Sequence, residues 1–347
     1  MAELFAYLDG FGAGGSLTKS ILIVAAPTGS TVTVTKGSTT KTAIEKNGEW
    51  WFKGLENGEW TIRAELDGQS ATEVINITQF GVYRKPISYR MTPEFTYTGD
   101  YEIVQDDDTP IEDFASWKGN WKIRLLTSSD FTITKMHGFA GKIDVFLVGG
   151  GASGGGRGGG GSGYTKTLKA ILLNVGVRYQ IVVGAGGEGL ITSGRFPPKA
   201  GGVTSAFDSV ANGGNAGSSG DFPSSGGSGG GDGTVGGAGK PGGSNGSDGG
   251  GGSGKGQGTT TREFGEPGGK LYAGGGAGAG VTTHQSSSGG DGGGGMGGGV
   301  NGDPMPKNGD VNTGGGGGGI GNLSSTKTYA SGGSGIVIIR NAREVAQ

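Results

Sequence analysis

Cysteine is absent from the 347-residue chain, which excludes disulfide staples and thiolate metal sites. Histidine occurs only at His137 and His284. They are isolated from each other in sequence, so each reads as a surface polar residue rather than as a zinc ligand or catalytic base. Charged residues make up 17% of the chain and the formal net charge is −2. That leaves no electrostatic basis for nucleic-acid binding. It also falls short of the high net charge usual in disordered chains. No apolar run approaches the length needed to span a bilayer. The segment "ILIVAA" is too short for the core of an export signal, and the first basic residue is Lys19. Proline contributes 11 residues against 86 glycines, which excludes collagen, where glycine in strict period three is joined by abundant proline.

Glycine is therefore the dominant feature, and its first long tract raises a specific question. In "KIDVFLVGGGASGGGRGGGGSGYTKT" an apolar strand runs into Gly149, Gly151 and Gly154, the G-x-G-x-x-G spacing of a dinucleotide site. Such a site works because a helix begins there and aims its free N–H groups at a phosphate. Gly154 to Gly163 contains eight glycines in ten residues, and each helical glycine costs about 0.8–1 kcal/mol relative to alanine. The tract has no apolar stripe to offset that penalty, so no helix is expected. A second match at Gly184, Gly186 and Gly189 runs into Pro197 and Pro198 and fails for the same reason. No cofactor site is expected.

The chain divides into zones by composition. Residues 1–18 form a short apolar segment with a glycine-rich hinge, read as a docking segment. Residues 19–91 alternate apolar and polar positions with period two. "STVTVT", "EWWFKGL", "GEWTIRAEL" and "TEVINIT" read as strands, and the two Asn-Gly pairs of the repeated "NGEW" read as tight turns. This predicts a small antiparallel sandwich of about seven strands. Trp50 and Trp51 are adjacent, so only one of them can face its core. Residues 92–184 read as a β-rich base with "NWKIRLLT", "DFTITK" and "KIDVFLVGG" as strands. Residues 185–347 carry the remaining glycine tracts and a closing strand at 335–340.

Ordered glycine has one regular extended option, the left-handed three-residue helix known as polyglycine II. Its backbone makes no internal hydrogen bonds, so buried copies must bond to one another. The fold class expected is all-β plus polyglycine II: a β-sandwich, then a strand clamp holding a stacked bundle of such helices. Three residues per turn predicts glycine in every third place where helices touch. Gly227, Gly230, Gly233, Gly236, Gly239 and Gly242 hold one such phase, and Gly289, Gly292, Gly295 and Gly298 hold another. Around the opening tract the same phase runs through Gly149, Ala152, Gly155, Gly158 and Gly161. The non-glycine inserts between tracts are expected to be tip loops, which commonly carry binding function. The candidates are Arg195, Phe196, Phe222, Arg262, Phe264, Tyr272, His284, Lys307 and Tyr329. Each aromatic among them either covers the end of the bundle or contacts a ligand.

Other constellations are weaker. Asp106 to Asp108, with Glu112 and Asp113, lack the ligand spacing of a calcium loop and read as a solvated hairpin loop. The single "RGG" gives little support for RNA binding. No catalytic arrangement stands out, so no enzyme is expected.

The ordered series "YTGDYEIVQDDD", "NWKIRLLTSSDFTIT", "IDVFLVGGGASGGG", "YQIVVGAGG", "GGVTSAF" and "GGSGIVIIRN", spread over roughly residues 94–343, resembles the glycine-rich domain of bacteriophage and prophage tail proteins. It is similar in style to the polyglycine sandwich of tail-fibre tip adhesins. The segment "GSTVTVT…GEWWFKGLENGEWTIRAELDGQSATEVINI" resembles PEGA-like and carboxypeptidase-regulatory-like β-sandwich modules, which are mostly spacers or adaptors. The resemblance implies a tail-fibre or tail-tip adhesin, made in the host cytoplasm and carried on the virion. It implies a bacterial surface receptor, glycan or protein, at the tip loops and other tail proteins at the N-terminal region. A trimer is among the oligomeric states it allows, and nucleic acid and membrane insertion are not expected. A non-adhesive tail spacer, or an extracellular polysaccharide- or ice-binding protein, stays open as an alternative.

Overall fold

The computed structural model describes residues 19–26, 29–46, 48–66, 69–87, 92–137, 139, 141–192, 197–216, 222–321 and 327–343. The docking segment assigned to residues 1–18, and the candidates Arg195 and Phe196, lie outside these residues. The chain forms two compact units. The first comprises the described residues up to Pro93 with two short returns, 113–119 and 136–140; the second comprises the rest.

The first unit has eight strands: β1 (Ser20–Ala25), β2 (Thr31–Lys36), β3 (Thr39–Thr42), β4 (Ile44–Lys46), β5 (Glu49–Leu55), β6 (Gly58–Leu66), β7 (Gln69–Ile77) and β8 (Val82–Pro86). They make two four-stranded sheets, ordered β4-β5-β1-β8 and β3-β2-β6-β7. The period-two pattern sends Val32, Val34, Trp60 and Ile62 from one sheet, and Leu22, Trp50 and Phe52 from the other, into one shared core. Trp50 is buried and Trp51, one residue on, is half-buried, as pleat alternation requires. Two features depart from the expected seven-stranded antiparallel sandwich. There is an eighth strand, and β8 runs parallel to β1. The returns were also invisible in the sequence, where they read as part of the second zone. Thr92 donates to the Phe114 carbonyl at 2.8 Å, and Glu73 on β7 lies 3.3 Å from both Lys85 and Lys118.

The second unit begins with β9 (Glu94–Thr96), β10 (Tyr101–Val104), β11 (Lys122–Leu125), β12 (Ser129–Lys135), β13 (Lys142–Val148), β14 (Thr165–Leu172) and β15 (Arg178–Ile181). It continues with β16 (Ile191–Thr192), β17 (Thr204–Ala206), β18 (Ser209–Ala211), β19 (Lys327–Thr328) and β20 (Ile336–Asn341). The main sheet is antiparallel in the order β10-β11-β20-β13-β14. Val145–Val148 of β13 and Ile336–Ile339 of β20 are continuous apolar runs, as fits strands buried on both faces in the middle of the sheet. A three-stranded sheet, β15-β12-β9, the short hairpin β17-β18 and a two-stranded pairing of β16 with β19 complete the strands.

The first glycine run leaves β13 and the last leads into β20, the other long runs lie between β18 and β19, and among the described residues no α-helix follows Gly149. The runs bond to one another in rotation. The N–H groups of Gly149, Gly150 and Gly151 donate to the carbonyls of Tyr164, Gly202 and Gly333. Those of Ala152, Ser153 and Gly154 donate to Gly161, Lys199 and Ala330. Each three-residue step along the donor run is a three-residue step back along each of three neighbours. A second run keeps the three-residue step with neighbours of both senses: Gly274, Ala277 and Gly280 donate forward along Gly292, Gly295 and Gly298, while Gly275 and Gly278 donate backward to Gly243 and Lys240. This exhausts the backbone donors of a segment that has no helix or strand ladder to use them.

Such surroundings demand glycine for want of room. A Cβ at Gly149, Gly150 or Gly151 would lie 2.1, 2.1 or 2.0 Å from the carbonyl oxygen of Asn212, Ala185 or Gly315. Consecutive positions thus meet three different runs, and close contact is not confined to one phase in three. The long phases read from the sequence are also interrupted. Gly236 sits in a turn with φ +82 and nothing near a Cβ, and Gly292 sits in another with φ +96. Between Gly149 and Gly163 the chain reverses, with Gly155 donating to Gly158 at 2.9 Å. Glycine is so abundant that a phase persists by composition across turns that break the structural repeat.

Candidate functional site

The runs have two kinds of end. At the strand end they join β13, β14, β17 and β20. The opposite, distal end is a set of turns that touch one another. Gly158 adjoins Phe222, and Gly233 adjoins Arg157. Thr234 bridges to Gly280, and Val300 donates to the Thr283 carbonyl at 2.8 Å. His284 Nδ1 lies 3.2 Å from an Asp303 carboxylate oxygen. Three apolar side chains project at this end: Phe222 is 61% exposed, Val235 69% and Met305 56%. Several polar side chains there are already engaged with backbone. Thr282 Oγ1 accepts from Gly236 N–H at 2.8 Å, and Thr283 Oγ1 donates to the Gly237 carbonyl at 2.9 Å.

The sequence-predicted contact residues are scattered relative to this end. Phe222 and His284 are exposed on it. Lys307 is exposed but lies along a run, its N–H bonded to the Met296 carbonyl. Tyr329 is near the distal end yet buried at 2% exposure, packed on Ile320; it covers the bundle and has no surface to offer. Phe264 and Tyr272 require the larger correction. Their segment, residues 259–272, is not a tip loop. It returns to the strand end and fills the space beneath the main sheet. Both rings are buried, 5.9 and 5.5 Å from the Phe146 ring on β13. Sheet side chains Phe146, Val148, Ile336 and Ile338 need an apolar cover on that face, and the segment supplies it. Arg262 lies in the same segment, half-buried, donating to the Gly269 carbonyl at 2.9 Å. Val235, Met305 and Asp303 were missed because nothing in the sequence says which turns share an end.

The strand end holds a charged cleft of about 460 Å³ lined by Asp106–Asp108, Lys122, Glu263, Phe264, Glu266, Lys270, Arg340 and Arg343. Lys122, Glu263 and Arg340 are each only 4% exposed. Lys122 Nζ donates to Asp108 at 2.6 Å and to the Asp106 carbonyl at 3.1 Å. Arg340 binds Asp144 at 3.0 Å and Glu266 at 2.9 Å, and its guanidinium lies 4.0 Å from the Phe264 ring centroid. Arg343 pairs with Asp106 and Arg124 with Asp108. The triple aspartate forms an exposed hairpin turn closed by a Val104–Pro110 bridge, with Asp106 and Asp107 at the surface, but Asp106 and Asp108 are also held by ion pairs, and Asp107 accepts from Thr109 N–H at 3.0 Å. Burial would raise the Asp108 carboxyl, but the Lys122 and Arg124 partners outweigh it and hold the group below its ordinary value. Asp144 is lowered likewise: burial opposes, while Ala170 N–H, Arg340 and Lys169 prevail. Arg340 is the leading cause for Glu266, which is also lowered. Burial, with Glu263 nearby, pushes the Tyr272 phenol far up.

Among the described residues no group of three or more metal-ligating side chains could hold an ion, and no helix is long and apolar enough to cross a membrane. The search of curated proteins found no match. A solved structure, a DUF3823 family protein from Bacteroides ovatus ATCC 8483, aligns over 57% of this chain and 96% of its own. Its identity is 14% and its TM-score 0.19, and a superposition that loose carries no argument about fold. The second unit, with its strands bracketing glycine runs, coincides with a family model described as a glycine-rich domain, matched over residues 127–342. The chain belongs to the glycine-rich domain family.

Proposed function

We propose that the glycine runs form a polyglycine II bundle clamped by the strand scaffold, and that the bundle is a rigid mount for a binding surface at its distal end. The observation that carries this reading is the three-residue rotation of inter-run hydrogen bonds. A helix of three residues per turn repeats its surroundings every third residue. Each such bond contributes about 1 kcal/mol net, against about 1–2 kcal/mol of backbone ordering per residue. The bundle is therefore marginal by itself and depends on the apolar strands.

The biological setting we infer is a bacteriophage tail fibre or tail tip, where the distal turns attach to the bacterial surface. The resemblance in sequence motivates this setting. In support, Phe222, Val235 and Met305 stand exposed on one end, although exposed apolar clusters on a soluble protein are uncommon without a partner. The test is binding of the purified full chain to bacterial envelope fractions. The variant Phe222→Ala, Val235→Ser, Met305→Ser should lose that binding while keeping the thermal midpoint of the parent. The burial of Phe264, Tyr272 and Tyr329 favours a second reading, a non-adhesive tail spacer with few contact residues. Undiminished envelope binding by the triple variant, or none by the parent, supports the spacer.

A further inference from the structure

Lys122 on β11 brings one ammonium against two carboxylates. Its Nζ donates to Asp108 at 2.6 Å and to the Asp106 carbonyl at 3.1 Å. Glu263 Oε1 also lies 3.1 Å from Nζ, yet this contact falls outside hydrogen-bond geometry and Oε1 has no other hydrogen-bond partner. The Lys122 and Glu263 side chains are each 5% exposed. An ion pair so enclosed has given up most of its hydration, and the attraction between the charges does not always repay that loss. A neutral amide made from the same two groups has no charge to desolvate. The pair also joins distant parts of the chain, for Glu263 lies in the segment 259–272 that covers the underside of the main sheet. With no cysteine in the chain, no disulfide can tie that segment in place.

We propose that Lys122 and Glu263 condense into a side-chain amide, an isopeptide bond, with Asp108 relaying a proton. The ammonium passes one proton to Glu263 Oε1, leaving a neutral amine against a neutral carboxylic acid. The Nζ lone pair then forms a bond to Glu263 Cδ, and the carbonyl electron pair moves onto Oε2. Asp108, hydrogen-bonded to Nζ, accepts the second proton and returns it to the Oε1 hydroxyl. The Cδ–Oε1 bond breaks with its electron pair, water leaves, and the pair on Oε2 restores the carbonyl. Of the three ammonium protons, two leave in the water and one stays on the amide nitrogen. One positive and one negative charge cancel, and Asp108 ends as the carboxylate it began as, still beside Arg124. The oxygen lost is the one without a hydrogen-bond partner, and the cleft that both residues line gives the water an exit. A cross-link of this kind restricts the unfolded chain as a disulfide does. It lies at the strand end, so it stands or falls independently of the tip reading.

The test is intact-mass spectrometry of the full chain, incubated folded at neutral pH and then denatured. The expected mass is that of the sequence less one water. Proteolysis should release a branched peptide in which Lys122 is joined to Glu263. Lys122→Met should show its full sequence mass. Asp108→Asn, which removes the proton relay, should also show its full mass, with circular dichroism confirming that it folds. A parent chain of full sequence mass overturns the proposal. So does a missing water that persists in Lys122→Met, or a branched peptide that joins Lys122 to Asp108 instead. A link that still forms in folded Asp108→Asn overturns the relay. The parent's mass and its branched peptide decide the bond itself whether or not the variants fold.

Discussion

A single methyl group has opposite consequences at two glycines of the same unit. A Cβ at Gly151 would lie 2.0 Å from the Gly315 carbonyl oxygen, whereas one at Gly268 meets nothing within 4 Å. Gly151→Ala must push two runs apart, and overpacking of this kind costs about 1–3 kcal/mol or more. Gly268→Ala should be neutral or stabilising by up to about 1 kcal/mol, because alanine restricts the unfolded chain. Urea denaturation of the two variants checks the contrast. Equal effects would mean that the runs are looser than their contacts. Small side chains are admitted only where the bundle leaves a place for them. Ser162 and Ser228 are fully buried, and Ser228 N–H donates to Ser162 Oγ at 2.6 Å. Phe264 is costly to truncate. Its ring fills the space between Phe146 and Arg340, and Phe264→Ala should cost about 3–5 kcal/mol, measured by the same denaturation.

At the scale of elements, β20 has the largest consequences. It pairs with both β11 and β13, and the glycine runs lie between β13 and β20 in the chain. Ile338→Ala, at a fully buried position, should cost about 2–5 kcal/mol. Hydrogen exchange should show that loss at Gly150 and Ser153 as well as in the strand. Exchange confined to β20 would show that the runs hold together without it. Arg340 on the same strand tests how the buried charges work. Arg340→Ala leaves Asp144, itself 2% exposed, without its main partner. Breaking such a pair costs about 3–5 kcal/mol. The double variant Arg340→Met, Asp144→Leu removes both charges and should recover most of that loss. A double-mutant cycle in denaturant measures the recovery.

For the whole molecule, acid should unfold the glycine-rich unit. Asp108, Asp144 and Glu266 all have folded values below their ordinary ones. A depressed carboxyl contributes stability that is fully present above its unfolded value and is lost as pH falls through its folded value. The unit should therefore be stable near neutrality and weaken progressively below about pH 4. Trp121 is buried in this unit, at 1% exposure, with its backbone N–H on the Asn341 side-chain oxygen at 3.0 Å, so its fluorescence reports the transition. The double variant above should blunt the acid response. An unchanged acid midpoint in that variant would place the titrating groups elsewhere.

Composition and pattern determined much of this protein. Alternation in "GEWTIRAEL" assigned β6 and its buried face, and apolar, β-branched runs marked β13 and β20 as strands, though not as the middle of a sheet. Glycine density after Gly149 excluded the helix that a phosphate site needs. These are local properties, decided by side-chain period and backbone propensity within one segment. The ends of the runs are not local. Residues 259–272 and 281–287 look alike as polar inserts between glycine tracts, yet one plugs the strand end and the other sits at the distal end. Which end a segment reaches depends on how many runs precede it and where each one turns. In a chain so rich in glycine, the turns leave no mark that distinguishes them from the runs. Only the tertiary structure decided that Phe264 and Tyr272 support the sheet while Phe222 faces solvent. It did so because the apolar underside of β13 and β20 had to be covered by whatever aromatic rings the chain could bring to it.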